Sequence, residues 1–430
     1  MSSRVSGSTP GTTHTDPRPR ARAVKDPLWT PQFILLLVSA IFMYISTFML
    51  TPTLPFYVED IGAGTLAAGG VIVAAYTLGS LLPRLLWGQL ADRWLRQGVY
   101  LIGVALIAVL SPLFAVTVLL PVIIGLRFLQ GVGFSASSTS AAAMSVDLIP
   151  ASRRAEGVGY YSLANTVGMA IGPGLGLTML QDYGSNWLFG ASVVAGSLSF
   201  GLGMFIRYEH LRRAKKADAT LPDASSASPM GAPKPAPAKS GSRWIERTVL
   251  PVSLIFLFVV TPYGAIMAFV AAYGLAQGVT RIGLYFTVFA IALFVVRLVV
   301  GRVSDKHGVT VVFVPAMVAM TLGLLVLWWA DSLTIFLISA VLVGLGFGVA
   351  MPVLQASAYT FAPAERRGAA SATLFATADI AYGLGAMVLG FAMTHLDDRL
   401  AFAGLAIFTV LALVLFFTLL RPRLKVIGRA

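Results

Sequence analysis

Twelve apolar runs alternate with short polar breaks along the chain, near 31–55, 65–87, 99–119, 121–145, 157–180, 186–206, 248–274, 280–300, 309–330, 333–358, 369–393 and 399–420. A run of about 20 apolar residues crosses a bilayer as a helix, because a helix satisfies its own backbone hydrogen bonds where water is absent. The pattern predicts an all-α integral membrane protein of twelve transmembrane helices. One long polar stretch divides them six and six. Residues 207–247 hold RRAKK and then SPMGAPKPAPAKSG, the composition of a flexible linker. The expected organisation is a disordered basic tail over 1–30, a six-helix bundle over 31–206, the linker over 207–247, a second six-helix bundle over 248–420 and a short tail over 421–430.

The two sets of six are related. Arg84, Gly88 and Asp92 recur as Arg297, Gly301 and Asp305; Gly131, Gly133 and Phe134 recur as Gly344, Gly346 and Phe347; Pro150, Arg153 and Arg154 recur as Pro363, Arg366 and Arg367, all at an offset of 213 residues. Three clusters at one constant offset imply two pseudo-symmetric halves of parallel topology, an arrangement used by transporters.

Composition agrees with a membrane solvent: 57% of residues are hydrophobic and 11% charged, against about 25% charged in a soluble globular protein. The net charge of +13 raises the question of nucleic acid, and the placement of the charges answers it. Of 31 Lys and Arg, 26 fall in the tails and even-numbered loops, two (Arg281 and Arg399) in odd-numbered loops and three inside spans. The odd loops carry acids instead: Glu59, Asp60, Asp182, Asp331, Asp397 and Asp398. By the positive-inside bias both termini are expected in the cytoplasm, with the chain in the inner (plasma) membrane. The first 30 residues lack the apolar core of a cleavable signal.

The chain has no cysteine, and its four histidines (14, 210, 307 and 395) are scattered. That argues against a disulfide framework, a thiolate zinc site, a resident metal or a cofactor. A membrane enzyme acting on lipid or prenyl substrates would need clustered His, Asp or Cys at one face, and a sensor would carry a large appended soluble domain; neither feature is present in the sequence. The expected partners are a small-molecule substrate, protons and the lipid bilayer, with no nucleic acid and the chain acting as a monomer.

Chemistry concentrates at two places. The stretch GQLADRW (88–94) ends the second span and GRVSDKH (301–307) ends the eighth. Arg84, Gly88 and Asp92 lie four apart, on one helix face. A glycine there admits a neighbouring helix, and an acid just beyond it suits a helix N-terminus, whose free N–H groups attract an anion. Gly88, Asp92, Arg93 and Arg96, with Gly301, Asp305 and Lys306, are therefore expected to latch the cytoplasmic ends. The loop GQLADRWLRQG resembles the loop 2–3 signature of the major facilitator superfamily, departing from it at Leu95 and Gln97. Two more stretches carry the resemblance. LRFLQGVGFSA in the fourth span is similar to the family's Arg-containing pattern, with Arg127, Gln130, Gly131 and Gly133 in place. GYYSLANTVGMAIGPGLG in the fifth is similar to the antiporter signature, with Gly159, Gly168, Gly172, Pro173 and Gly176 in place and Leu177 departing. The resemblance implies two six-helix bundles of the major facilitator fold, a cytoplasmic gate at the loop motifs and a drug:proton antiporter.

Charge inside a span is costly and by default functional. Arg84 and Arg297 lie within about one turn of the cytoplasmic ends and are expected to snorkel to the interface. Asp379, about ten residues into the eleventh span, is the one acid at mid-depth. It can serve as proton carrier, as counter-ion to a cationic substrate, or as one partner of a buried hydrogen bond. Arg127, about 9 Å into the fourth span, joins it as a candidate for proton coupling. A cavity between the halves is expected to be lined by Tyr44, Phe48, Asn165, Tyr263, Gln355 and Tyr382, an apolar surface with few polar groups suited to amphipathic or lipophilic molecules. The expected function is export of such molecules in exchange for protons by alternating access; the alternative is proton-coupled uptake of a sugar or other small metabolite.

Overall fold

The structure, a computed structural model, describes residues 27–84, 86–87, 95–150, 153–208, 246–363 and 367–426. Thr30 starts the first helix by accepting a hydrogen bond from the Phe33 amide, with Pro31 in the first turn where its missing N–H is harmless. That helix, α1 (Pro31–Met49), ends at the Thr51–Thr53 turn, and α2 (Leu54–Asp60) completes the first span. Then follow α3 (Leu66–Leu81), α4 (Arg96–Leu110), α5 (Leu120–Leu148), α6 (Arg154–Thr178) and α7 (Ser185–Met204). The second half comprises α8 (Leu250–Ala276), α9 (Leu284–His307), α10 (Val309–Val326), α11 (Leu333–Phe361), α12 (Arg367–His395) and the last span, built from α13 (Asp398–Gly404), α14 (Ala406–Leu415) and α15 (Arg421–Val426). No strand occurs among the described residues.

Eleven of these segments are long and apolar enough to cross a membrane, and the second span is represented by the shorter apolar helix Ala68–Leu81. The loop motif that follows it, with Gly88, Asp92 and Arg93, lies outside the described residues.

The offset repeat has a packing basis. A side chain at Gly131 would strike the Tyr76 carbonyl of α3, and one at Gly344 would lie 2.6 Å from the Phe289 carbonyl of α9. A side chain at Gly133 would lie 2.7 Å from the Gly103 carbonyl, and one at Gly346 2.6 Å from the Ala316 carbonyl. Each pair of contacts is related by the same 213 residues. Hydrocarbon supplies no hydrophobic drive between helices, so close backbone approach at small residues is what binds them. The far ends repeat as well. Tyr57 donates to the Phe114 carbonyl (2.6 Å) and packs edge-on against Phe189; Tyr273 donates to the Leu327 carbonyl (2.6 Å) and stacks on Phe402.

The halves meet along two seams, α3 against α12 and α6 against α9. One end of the bundle gathers the start of α1, where Leu28 and Phe33 pack on Ile149, together with the Arg96–Asp147 ion pair (2.7 Å) and the Glu246 amide, which donates to Thr373 Oγ1. This is the tail end. At the other end the halves touch backbone to backbone: a side chain at Gly70 would lie 2.7 Å from the Ala386 carbonyl, and one at Gly283 3.2 Å from Gly174 Cα.

Candidate functional site

Midway along the first seam, Arg84 and Asp379 form an ion pair between the halves, Nη2 to Oδ2 at 2.8 Å. Arg84 is held from its own helix, one turn back, by Ser80 Oγ, which accepts from the same Nη2 at 2.9 Å. Both side chains keep about a fifth of their surface accessible (21% and 20%), although the pairing oxygen, Asp379 Oδ2, is itself buried. Asp379 stands 12 residues into α12, about 18 Å from its tail end, as its depth in the sequence predicted. The expectation that Arg84 snorkels to the interface is corrected: its guanidinium turns inward to a carboxylate. The cation beside Asp379 is thus Arg84 and not Arg127.

Arg127 is 1% exposed. Its Nη1 donates to Gln130 Oε1 and its Nη2 to Thr51 Oγ1, each at 3.0 Å, and its guanidinium carbon lies 4.4 Å over the Tyr76 ring. The polar chain continues inward: Gln130 Nε2 donates to Ser111 Oγ (3.2 Å), Ser111 meets Ser192 (3.0 Å), and Ser192 meets Ser46 (3.0 Å). The Arg127 Nε is buried without an acceptor, so the two hydrogen bonds and the negative face of the Tyr76 ring are what offset the burial of this guanidinium.

Aromatic rings flank the seams on both sides. In the first half Tyr44 stacks along Phe48 and meets Phe134 edge-on, each at 6.0 Å, while Tyr76 lies 5.7 Å from Phe134. Tyr161 and Asn165 of α6 sit beside the Tyr44 hydroxyl. In the second half Tyr263 stacks on Phe347 at 4.1 Å, with Phe289 at 5.9 Å and Tyr382 at 5.7 Å. The Tyr263 hydroxyl crosses the seam to Met169 Sδ (2.7 Å), and Tyr382 faces Thr51 and Arg127. Of the six expected lining residues, Tyr44, Phe48 and Asn165 come together on one side and Tyr263 and Tyr382 on the other. Gln355 is half-buried in α11 and joins neither group through a hydrogen bond.

The glycine ridge of α6 docks on α1. Side chains at Gly168, Gly172 and Gly176 would collide with Tyr44, with Phe48 and Ile45, and with Met49 in turn, and Pro173 stands inside the helix. Gly159 faces open space. At the tail end, Arg96 pairs with Asp147, which also accepts from the Tyr208 hydroxyl. Among the described residues nothing lies within 4 Å of where a side chain at Gly301 would begin. Asp305 and Lys306 fall in the last turn of α9, and Lys306 is exposed. Among the described residues no three His, Asp or Glu side chains gather into a metal-holding group.

Three participants escaped the sequence: the partnership of Arg84 with Asp379, the Tyr76–Phe134 pair and the contact of Arg297 Nη1 with Thr166 Oγ1 (3.5 Å). The offset of 213 residues held the signal. It carries Tyr76 and Phe134 onto Phe289 and Phe347, a second ring pair at 6.4 Å, and carries Thr166 onto Asp379.

Comparison with known proteins places this architecture. The model of the Major Facilitator Superfamily matches residues 36–280 and 249–429. The chain is 26% identical over 362 residues to the multidrug resistance protein Stp of Mycobacterium tuberculosis (strain CDC 1551 / Oshkosh), covering 74% of this chain and 67% of that protein. It is 27% identical over 150 residues to the quinolone resistance protein NorA of Staphylococcus aureus (strain Mu50 / ATCC 700699), covering 35% of this chain and 38% of that one. Among solved structures, an inward-facing bacterial homologue of the human lysosomal transporter Spinster superposes with a TM-score of 0.69 at 15% identity, over 90% of this chain and 95% of that one. The inward-open xylose transporter XylE from E. coli gives 0.67 at 13% identity, over 90% and 95%. The chain belongs to the Major Facilitator Superfamily and is a multi-pass membrane transporter of small molecules, not an enzyme.

Proposed function

We propose that this transporter exports small amphipathic or lipophilic molecules in exchange for protons, with Asp379 as the coupling acid. The observation that carries the proposal is the Arg84–Asp379 pair, a carboxylate and a guanidinium drawn from opposite halves at mid-depth. Protonating Asp379 removes its charge and with it the Coulombic tie across the seam; losing the proton restores the tie. One proton therefore biases two arrangements of the same pair of helices, which is what alternating access requires. In the arrangement described here the end away from the tails is closed by Gly70–Ala386 and Gly174–Gly283. Those contacts lie about 20 Å along α3 from Arg84. With the tails in the cytoplasm, as the charge bias supports, the closed end faces outward, and we read the arrangement as the one in which substrate enters and the proton leaves.

The aromatic groups Tyr44–Phe48–Phe134 and Tyr263–Phe347–Phe289 flank the seams, mostly buried in this arrangement, and are the apolar surface we propose substrate meets when the seams part. Export is supported over uptake by the multidrug and quinolone resistance relatives and by the antiporter-like ridge of α6. The location proposed is the plasma membrane, with the chain working as a monomer. The test is accumulation of lipophilic dyes and drugs by inside-out vesicles under an imposed pH gradient. Gradient-driven accumulation that collapses with a protonophore supports the proposal; accumulation indifferent to the gradient overturns it.

A further inference from the structure

The 213-residue offset relates the two seams, and at one position facing an arginine they differ in kind. On the first, Arg84, three residues beyond α3, faces Asp379 of α12; on the second, Arg297 of α9 faces Thr166 of α6. The 213-residue offset that carries Arg84 onto Arg297 also carries Thr166 onto Asp379. The second seam therefore keeps the cation and lacks the anion.

What surrounds Arg297 makes that lack consequential. Among the described residues its one hydrogen-bond partner is Thr166, Nη1 to Oγ1 at 3.5 Å, the outer limit of a hydrogen bond; its Nε is buried without an acceptor, as are those of Arg84 and Arg127. Arg127, also without a carboxylate, differs: two acceptors at 3.0 Å and an aromatic face hold it. Arg297 is half-buried. Tyr263 lies near Arg297 and carries the Phe347 and Phe289 stack. A guanidinium taken out of bulk water with most of its donors unused is unfavourable unless an anion completes it.

We infer that Arg297, on the seam beside Thr166, is the receiving site for a single anionic group, such as a carboxylate, on an amphipathic substrate. The substrate supplies on the second seam what Asp379 supplies on the first. Arg297 offers the planar fork that suits a carboxylate, and the anion replaces the weak 3.5 Å contact with Thr166, whose own hydroxyl donates to the Ser162 carbonyl at 3.4 Å. This rests on the reading of the chain as an exporter with its cavity between the halves, but it concerns which molecule docks and not how docking is coupled to protons.

The experiment uses two probes of one shape, 1-naphthylacetate and its neutral amide, 1-naphthylacetamide, titrated calorimetrically into the detergent-solubilised full chain. Wild type should bind the carboxylate at least about ten times more tightly than the amide. Arg297→Gln should erase that preference and leave the amide affinity within about twofold. Thr166→Asp keeps Arg297 but gives it an internal partner, copying the first seam, and should erase the preference in the same way. If one variant fails to elute as the folded protein, the other decides. Equal affinity of wild type for both probes, no binding of the carboxylate, or a preference surviving in a folded variant overturns the inference. Asp379→Asn should keep the preference, so a failure of proton coupling and a failure of this site are read separately.

Discussion

The Arg127 guanidinium rests 4.4 Å above the Tyr76 ring and, among the described residues, has no carboxylate against it. A charge buried this way is poor evidence of stability, because an apolar side chain of similar volume often folds as well or better. Replacement would orphan Gln130 Oε1 and Thr51 Oγ1, at about 1–3 kcal/mol each, against the recovered desolvation cost of several kcal/mol. The two nearly cancel, so Arg127→Met should melt within a few degrees of wild type. If Arg127 serves coupling, its transport should nevertheless fall by at least about tenfold. Thermal melting in detergent and vesicle transport, measured on one preparation, separate these outcomes; a melting loss matching the transport loss would make Arg127 a structural residue.

At the seam, Asp379→Asn fixes the uncharged state. It should abolish accumulation driven by a pH gradient, leave substrate binding measurable, and abolish proton release when substrate is added to the solubilised protein. Asp379→Glu keeps a titratable group about one methylene further out and should retain part of the activity. Equal proton release from wild type and Asp379→Asn would move the coupling site elsewhere.

The same pair predicts non-additivity. Arg84→Gln alone leaves Asp379 buried beside a neutral amide, and Asp379→Asn alone leaves Arg84 with Ser80 as its hydrogen-bond partner. The double variant should be less destabilised than the sum of the two singles by about 0.5–3 kcal/mol, the range for residues in contact. A denaturation cycle returning additive values would mean that the 2.8 Å contact contributes nothing in solution.

The α6 ridge gives a steric prediction. A side chain at Gly168 would overlap Tyr44, whereas one at Gly159 would meet nothing within 4 Å. Gly168→Val should cost at least about 1–3 kcal/mol through overpacking, and Gly159→Val should cost far less. Comparable melting shifts for both would show that the ridge does not grip α1.

Topology is tested without removing any native cysteine, since the chain has none. A cysteine placed by Ser225→Cys in the 207–247 stretch should resist an impermeant maleimide on intact cells and react once the membrane is opened. Labelling from outside would reverse the orientation inferred from Lys and Arg.

How far the sequence reached follows from the range of each signal. Spans and the repeat are local or periodic: twelve apolar runs and a constant 213-residue offset are readable one window at a time. The depth of Asp379 was readable too, because a helix advances a fixed distance per residue. Its partner was not, since Arg84 lies 295 residues earlier and depth along one helix says nothing about which neighbour it faces. The same blindness made Arg84 look like an interfacial residue and left Thr166 unnoticed, a neutral residue in a segment read for its glycines. Applying the offset to Asp379, and not only to the motifs, would have exposed Thr166.

The seal at Gly174 and Gly283 consists of main chain against main chain. A closure made of interlocking side chains must order each of them every time it forms, at about 0.5–1.5 kcal/mol apiece. Glycine has no rotamer to choose, so this closure re-forms with almost no side-chain entropy to lose and leaves no knob to withdraw on opening. The two halves can roll over that point as over a smooth fulcrum. The temperature dependence of the cycle then reflects the charged pair deeper in the seam rather than the contact that shuts the door.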